Sequence, residues 1–150
     1  INLSDPTGAG GGSGGGAGLI NISTRGEVQT GSKMMIAGFV ISGRQSQKVL
    51  IRAAGPALTK FGVTGTLATP SLQLVSSSGT QIAVNAGWDK GTNNALEISA
   101  ASAASGAFAF PAGSADCALL ITLDPGVYTA LVTGTGSATG VALVEVYTVQ

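Results

Sequence analysis

The fold class predicted is all-β: a two-sheet β-sandwich or jelly roll with one short helix and an extended glycine-rich arm at the N-terminus. Three observations point there. Short apolar or alternating runs recur along most of the chain, divided by Gly, Pro, Asn and Ser clusters. One segment alone has the composition of a helix. The run GAGGGSGGGAG at residues 8–18, eight glycines in eleven positions, has almost no side chains with which to pack. The chain therefore divides into an arm, residues 1–18, and a sandwich domain, residues 19–150.

LINIS (19–23) opens the domain as a strand. KMMIAGFVI (33–41) is apolar on both faces, as expected of a strand sandwiched between layers. KVLIRA (48–53) alternates, with Val49 and Ile51 on one face and Leu50 and Arg52 on the other. SLQLVS (71–76) and TQIAVN (80–85) flank Ser78-Gly79, a hairpin that places Leu72, Leu74, Ile82 and Val84 on the core face. CALLITL (117–123) and VYTALVTG (127–134) are separated by Asp124-Pro125-Gly126, a turn signal, and GVALVEVYTV (140–149) closes the chain. That makes about eight strands. Between them, NNALEISAASAASGAF (93–108) has strong helix formers, an Asn cap and a stop at Gly106, which predicts a helix over Ala95–Ala104.

A chain of 150 residues is most simply one domain with a real core. Only 9% of it is charged, where soluble domains carry about 25%, and seven cations balance seven anions. No basic patch is present for nucleic acid, and no run approaches the roughly 18 apolar residues of a membrane span. Low charge leaves little to keep copies apart. Cys117, the single cysteine, reads as a small buried hydrophobe. The chain begins at Ile1 rather than Met, so a leader already removed is expected, and composition suggests secretion.

The chemistry is mostly absence. Without histidine no Ser-His-Asp or Cys-His system can be built, and the commonest zinc ligand is missing. Asp5, Glu27, Asp89, Glu97, Asp116, Asp124 and Glu145 are scattered, so no enzyme, cofactor or metal is expected; a glycosidase pair from distant loops is a remote third reading. Gly10-x-Gly12-x-x-Gly15 has the spacing of a dinucleotide fingerprint but neither follows a strand nor opens a helix. The NAGWDKGTNN loop offers Asn85, Asp89 and Asn93 as oxygen ligands, which without a second carboxylate make at best a weak calcium site. Trp88, with Asp89 beside it, is the candidate ligand contact, either as a sugar-stacking platform or as a cap on the core edge. Asn2 and Asn21 each begin a glycosylation sequon. Arg25 and Arg52 read as anchors paired with acids.

LINISTRGEVQTGSKMMIAGFVISG followed by KVLIRAAGPALTKFGV resembles a β-domain family of secreted bacterial proteins, with an LNISTRG-like opening, a GFVI-G strand, an "IRA-GP-L" turn and a closing GVALVEVY strand. The resemblance spans about residues 19–148. SLQLVSSSGTQIAVNAGWD with LDPGVYTALVTG also looks like sandwich modules appended to secreted peptidases. In the family the loop usually reads Asn-Asp-x-Trp; here it is Asn85-Ala86-Gly87-Trp88, which weakens calcium binding further. The resemblance implies an extracellular address, assembly of some members into surface fibrils, and no catalytic residues.

Ordering eleven glycine-rich residues costs on the order of 10–20 kcal/mol, so a tract held in place must be flanked closely, as against another subunit's sheet. Extended, it reaches up to about 36–40 Å. Ile1, Asn2, Leu3, Ser4, Asp5, Pro6 and Thr7 could then add as a strand to a neighbour's open edge. The leading expectation is thus a structural subunit of an extracellular fibril, polymerising head to tail with copies of itself, glycans being a further partner. The alternative is a non-catalytic carbohydrate- or surface-binding sandwich module of a larger secreted protein, with Trp88 or Tyr128 exposed on a concave face and residues 8–18 as a linker.

Overall fold

The alternation read from the sequence produces eight strands and one helix in a computed structural model that describes residues 20–31, 33–91 and 94–149. The strands are β1 (Asn21–Val28), β2 (Met35–Ile41), β3 (Gln47–Ala54), β4 (Pro70–Ser76), β5 (Gln81–Asn85), β6 (Cys117–Leu123), β7 (Gly126–Gly134) and β8 (Gly140–Val149). The helix, α1, spans Ala95–Ala104, and a short 3-10 turn covers Pro56–Phe61. All strand pairs are antiparallel, in two four-stranded sheets: a first of order β1-β8-β3-β6 and a second of order β2-β7-β4-β5. This is the expected two-sheet sandwich with one short helix.

The main core lies between the sheets. Val49, Ile51 and Ala53 of β3 and Ala142, Val144 and Val146 of β8 point into it from one side. Phe39 of β2, Leu72 and Leu74 of β4 and Val132 of β7 point in from the other. Phe39 and Tyr128 stack there with ring centroids 5.7 Å apart, and the Tyr128 hydroxyl escapes burial cost by donating to Asp124 O at 2.6 Å. A second, smaller core lies outside the first sheet, where Leu50, Ala118 and Tyr147 meet Trp88, Ile98 and Ala101. So β3 is buried on both faces.

Two expectations for the second sheet are corrected. In the β4–β5 hairpin, Ile82 and Val84 were expected inward, yet they are 38% and 54% exposed. The ladder shifts between Leu74 and Val75, pairing Leu74 with Ala83 and Val75 with Gln81. A one-residue slip moves a whole strand's side chains to the opposite face, so Ala83 rather than its neighbours packs on the core. The turn feeding this shift uses Gly79 at φ 82°, a left-handed conformation that glycine adopts without a Cβ clash. The second correction concerns β2, expected between two layers. Met35, Ala37, Phe39 and Ile41 enter the core, but Ile36 is 64% exposed, because the described residues place no layer outside this sheet.

The "IRA-GP-L" turn has a physical cause. A Cβ on Gly55 would lie 2.1 Å from Leu67 O, so only glycine fits where the chain leaves β3. Pro56 then starts the 3-10 turn with a preset φ.

Candidate functional site

The polar chemistry of the domain gathers on the outer face of the first sheet, beneath a roof made by Trp88, α1 and the segment from 105 to 116. Helix α1 forms where the sequence predicted it: Asn94 caps it, its Oδ1 accepting the Glu97 N–H at 3.3 Å, and Ile98, Ala101 and Ser102 face inward. Beyond the helix, Phe108 and Phe110 fold back over the sheet.

Under that roof Arg52 of β3 and Glu145 of β8 sit directly opposite each other in the ladder. Both are buried, Arg52 completely, and Arg52 Nε lies 3.7 Å from Glu145 Oε1. The guanidinium is covered by aromatic faces, its carbon 3.8 Å from the Phe110 centroid and 4.7 Å from that of Phe108. Burial pulls the Arg52 pKa down, and the charge of Glu145 opposes that pull. The Tyr147 hydroxyl donates to Glu145 Oε2; burial first, then this bond, raises the phenol well above its ordinary range. The three groups therefore form a closed unit of arginine, carboxylate and neutral phenol. With no exposed face it cannot deliver a proton to a substrate from solvent.

Asp116 is equally enclosed. Its Oδ1 accepts the Gly55 and Ala57 N–H groups at 2.7 and 3.1 Å, and Oδ2 accepts the Ser114 hydroxyl at 2.7 Å. It is a backbone clamp for the "IRA-GP-L" turn. Cys117 next to it points into the main core, with Sγ 3.1 Å from Pro70 O; burial pushes its thiol up to about 11. A thiol so far from ionisation is a poor nucleophile.

Arg52, Glu145, Tyr147, Asp116 and Cys117 are thus all enclosed within the domain. Its fold has a solved counterpart. The crystal structure of the pre-peptidase C-terminal domain of collagenase from Bacillus anthracis superposes with a TM-score of 0.50, covering 85% of this chain and 89% of that one. At 12% identity the likeness is one of fold. No family model matches the chain, and no curated protein matches it in sequence.

The residues singled out in the sequence have separate places. Trp88 is only 6% exposed; its Nε1 donates to Pro111 O at 3.0 Å, and its ring lies 6.3 Å from Phe110. Tyr128 is 9% exposed in the main core. Neither ring is presented on a concave face, as the binding-module expectation required, because each is used to close a core. Asp89 accepts the Gly113 N–H through Oδ2 at 2.7 Å, tying the Trp88 loop to the returning segment. Asn85 spends its amide on Gly87 O and its oxygen on the Ala118 N–H, at 3.0 and 3.1 Å, and so offers little to a cation. Asn93 lies outside the described residues, as do Asn2 and the rest of residues 1–7. Asn21 is exposed at the first position of β1. Arg25 is exposed on β1 and forms no ion pair among the described residues.

Sequence reasoning named Arg52 as an anchor paired with an acid and counted Glu145 among the scattered acids, but did not match the two or name Tyr147, Phe108 or Phe110 beside them. One signal was available: Arg52 and Glu145 each stand between apolar neighbours in their strands, and a buried charge needs a partner. Between Trp88, α1 and Phe110 lies a cavity of about 70 Å³, and a shallow groove of about 290 Å³ runs beside α1 past Lys48, Glu97 and Leu120. Ligand pockets usually hold about 300–1,000 Å³, so the cavity beside Trp88 is too small for a usual ligand. What remains accessible is surface. Phe61, 59% exposed, stands edge-on to Phe108 at 4.9 Å, extending the aromatic roof into solvent.

Proposed function

We propose that the chain is a non-catalytic β-sandwich module of a larger extracellular protein, holding its carrier against a carbohydrate surface. The observation that carries this reading is the exposed Phe61 ring braced by Phe108, the outer end of an aromatic ladder running inward through Phe110 to Trp88. An exposed aromatic held rigidly by another is suited to stacking on a sugar face at low entropic cost. The enclosure of Glu145, Asp116, Cys117 and Tyr147 supports a role without catalysis. The fold shared with a domain of a collagenase supports a module carried beside other domains.

Retention on insoluble polysaccharides tests it. The chain should be pulled down by at least one of cellulose, chitin or peptidoglycan, and Phe61→Ala should reduce retention about tenfold or more, the scale of one lost stacking contact. Absence of retention on all three, or a Phe61→Ala variant that binds as well as the parent, removes the reading.

A second reading, a fibril subunit whose residues 1–7 dock on a neighbouring copy, is favoured by a different observation: none of β2, β4, β5 and β7 carries a charged residue. Electron microscopy of the chain at near-physiological salt should then show regular filaments, absent from a variant lacking residues 1–18. Filaments that survive the truncation exclude the arm.

A further inference from the structure

The outward face of the second sheet is bare and uncharged, and its aliphatic side chains are interrupted only by neutral polar groups such as Gln73 and Thr129. Ile36 on β2 stands beside Leu131 on β7, Leu131 beside Gln73 on β4, and Gln73 beside Val84 on β5. A parallel row pairs Val40 with Val127. Ile36, Val84 and Val127 are each more than half exposed. On the first sheet the corresponding layer is filled by α1 and the aromatic roof; here nothing among the described residues fills it.

We infer that this face docks on the same face of a second copy of the chain, two second sheets packing back to back as a closed pair. Charge argues for that occupant. With no Asp, Glu, Lys or Arg on any of the four strands, two copies meet without like-charge repulsion and leave no ion unpaired. A strongly charged partner finds no complementary group on this face. The whole chain has zero net charge, so no long-range field separates the copies either. Shape agrees: rows of Ile, Leu and Val on a pleated sheet interdigitate with a like surface about 10 Å away, as the inner faces of a sandwich do.

Area sets the strength. Four strands of about seven residues cover about 19 by 23 Å, or roughly 440 Å² per copy, from standard strand spacings. That is about half the 800 Å² per partner of a standard stable interface, so the pair is weak and concentration-dependent. The contact uses the same patch on both copies and closes on itself, whereas an arm passed to a neighbour propagates. It is therefore independent of residues 1–18 and of the carbohydrate reading.

Analytical ultracentrifugation of the full chain across a concentration series is the test. The average mass should climb from that of one chain toward that of two. The double variant Ile36→Lys with Val127→Lys should stay at the mass of one chain throughout, with an unchanged melting temperature because both positions are exposed. Leu96→Lys, on the exposed side of α1, should associate as the parent does. The inference is overturned if the parent stays at the mass of one chain, if the double lysine variant associates unchanged, or if Leu96→Lys abolishes association equally. Since the lysines leave residues 1–18 intact, an arm-driven polymer survives them, and the two contacts are read separately.

Discussion

The first sheet carries Arg25, Glu27, Lys48, Arg52 and Glu145, while the second carries no charge at all, although each has four strands and both share one core. The first also supports a second layer, α1 and the Phe108–Phe110 segment, and the second supports none among the described residues. A roof is what makes a buried charge tenable. Arg52 and Glu145 are held within a folded-over layer that supplies aromatic faces and a phenol donor. The second sheet has no such layer among the described residues, and its outer side chains are uncharged, mostly aliphatic with Gln73 and Thr129 among them. The buried charges follow the cover, while Arg25, Glu27 and Lys48 of the same sheet are exposed.

The largest effect is expected at the ion pair. Glu145→Gln leaves Arg52 buried without its counter-charge and should destabilise the domain by about 3–5 kcal/mol. Adding Arg52→Met to that variant should recover much of the loss, because the double change removes both charges. Urea unfolding of the two singles and the double measures this; a Glu145→Gln variant as stable as the parent shows that the roof does not depend on the pair.

The next effect is at the seam, where Cys117 of the first sheet touches Pro70 of the second. The folded thiol keeps its proton to about pH 11, whereas an unfolded one loses it near 9.0. Stability should therefore be complete below pH 9 and fall as pH rises toward 11, by about 2–3 kcal/mol at most. The raised Tyr147 acts in the same direction above pH 10. Thermal melts of the parent and Cys117→Ala at pH 8 and 10.5 test this: the variant should lose less. Equal slopes would show that the thiol is not the group responsible.

Smaller still, Asn94→Ala removes the cap of α1 and should cost about 1 kcal/mol. Near-ultraviolet circular dichroism should show Trp88 loosening as the roof frays. Smallest is Val84→Thr on the open sheet, which should change stability by no more than about 0.5 kcal/mol, the usual scale for an exposed position. That limit applies at concentrations where the chain is single; a loss that grows with protein concentration is what cover by a second copy produces.

Much of the fold was legible because it depends on local pattern. The strands CALLITL and GVALVEVYTV and the helix over Ala95–Ala104 have the boundaries their composition predicts. The hairpin around Gly79 was found too, but not its face, since a bulge at Leu74–Val75 depends on how the ladder closes rather than on residue type. The site was less legible. Arg52 showed as an anchor, yet Glu145 is 93 positions away in sequence (145 minus 52), and only register places them opposite. Trp88 was a candidate platform because a loop tryptophan can face either way, and Phe110, which meets it, belongs to a segment with no regular structure.

The all-β class, the short helix and the lack of histidine-based chemistry in this chain are set by the sequence alone. These follow from side-chain periodicity, backbone sterics and residue inventory, which are local properties. The tertiary structure alone decided which sheet is roofed, which charges meet, that Trp88 and Tyr128 turn inward, and that Ile36, Val84 and Val127 are left facing solvent. Those outcomes depend on strand order and register, and an alternating pattern states that a strand has two faces without stating what will cover each.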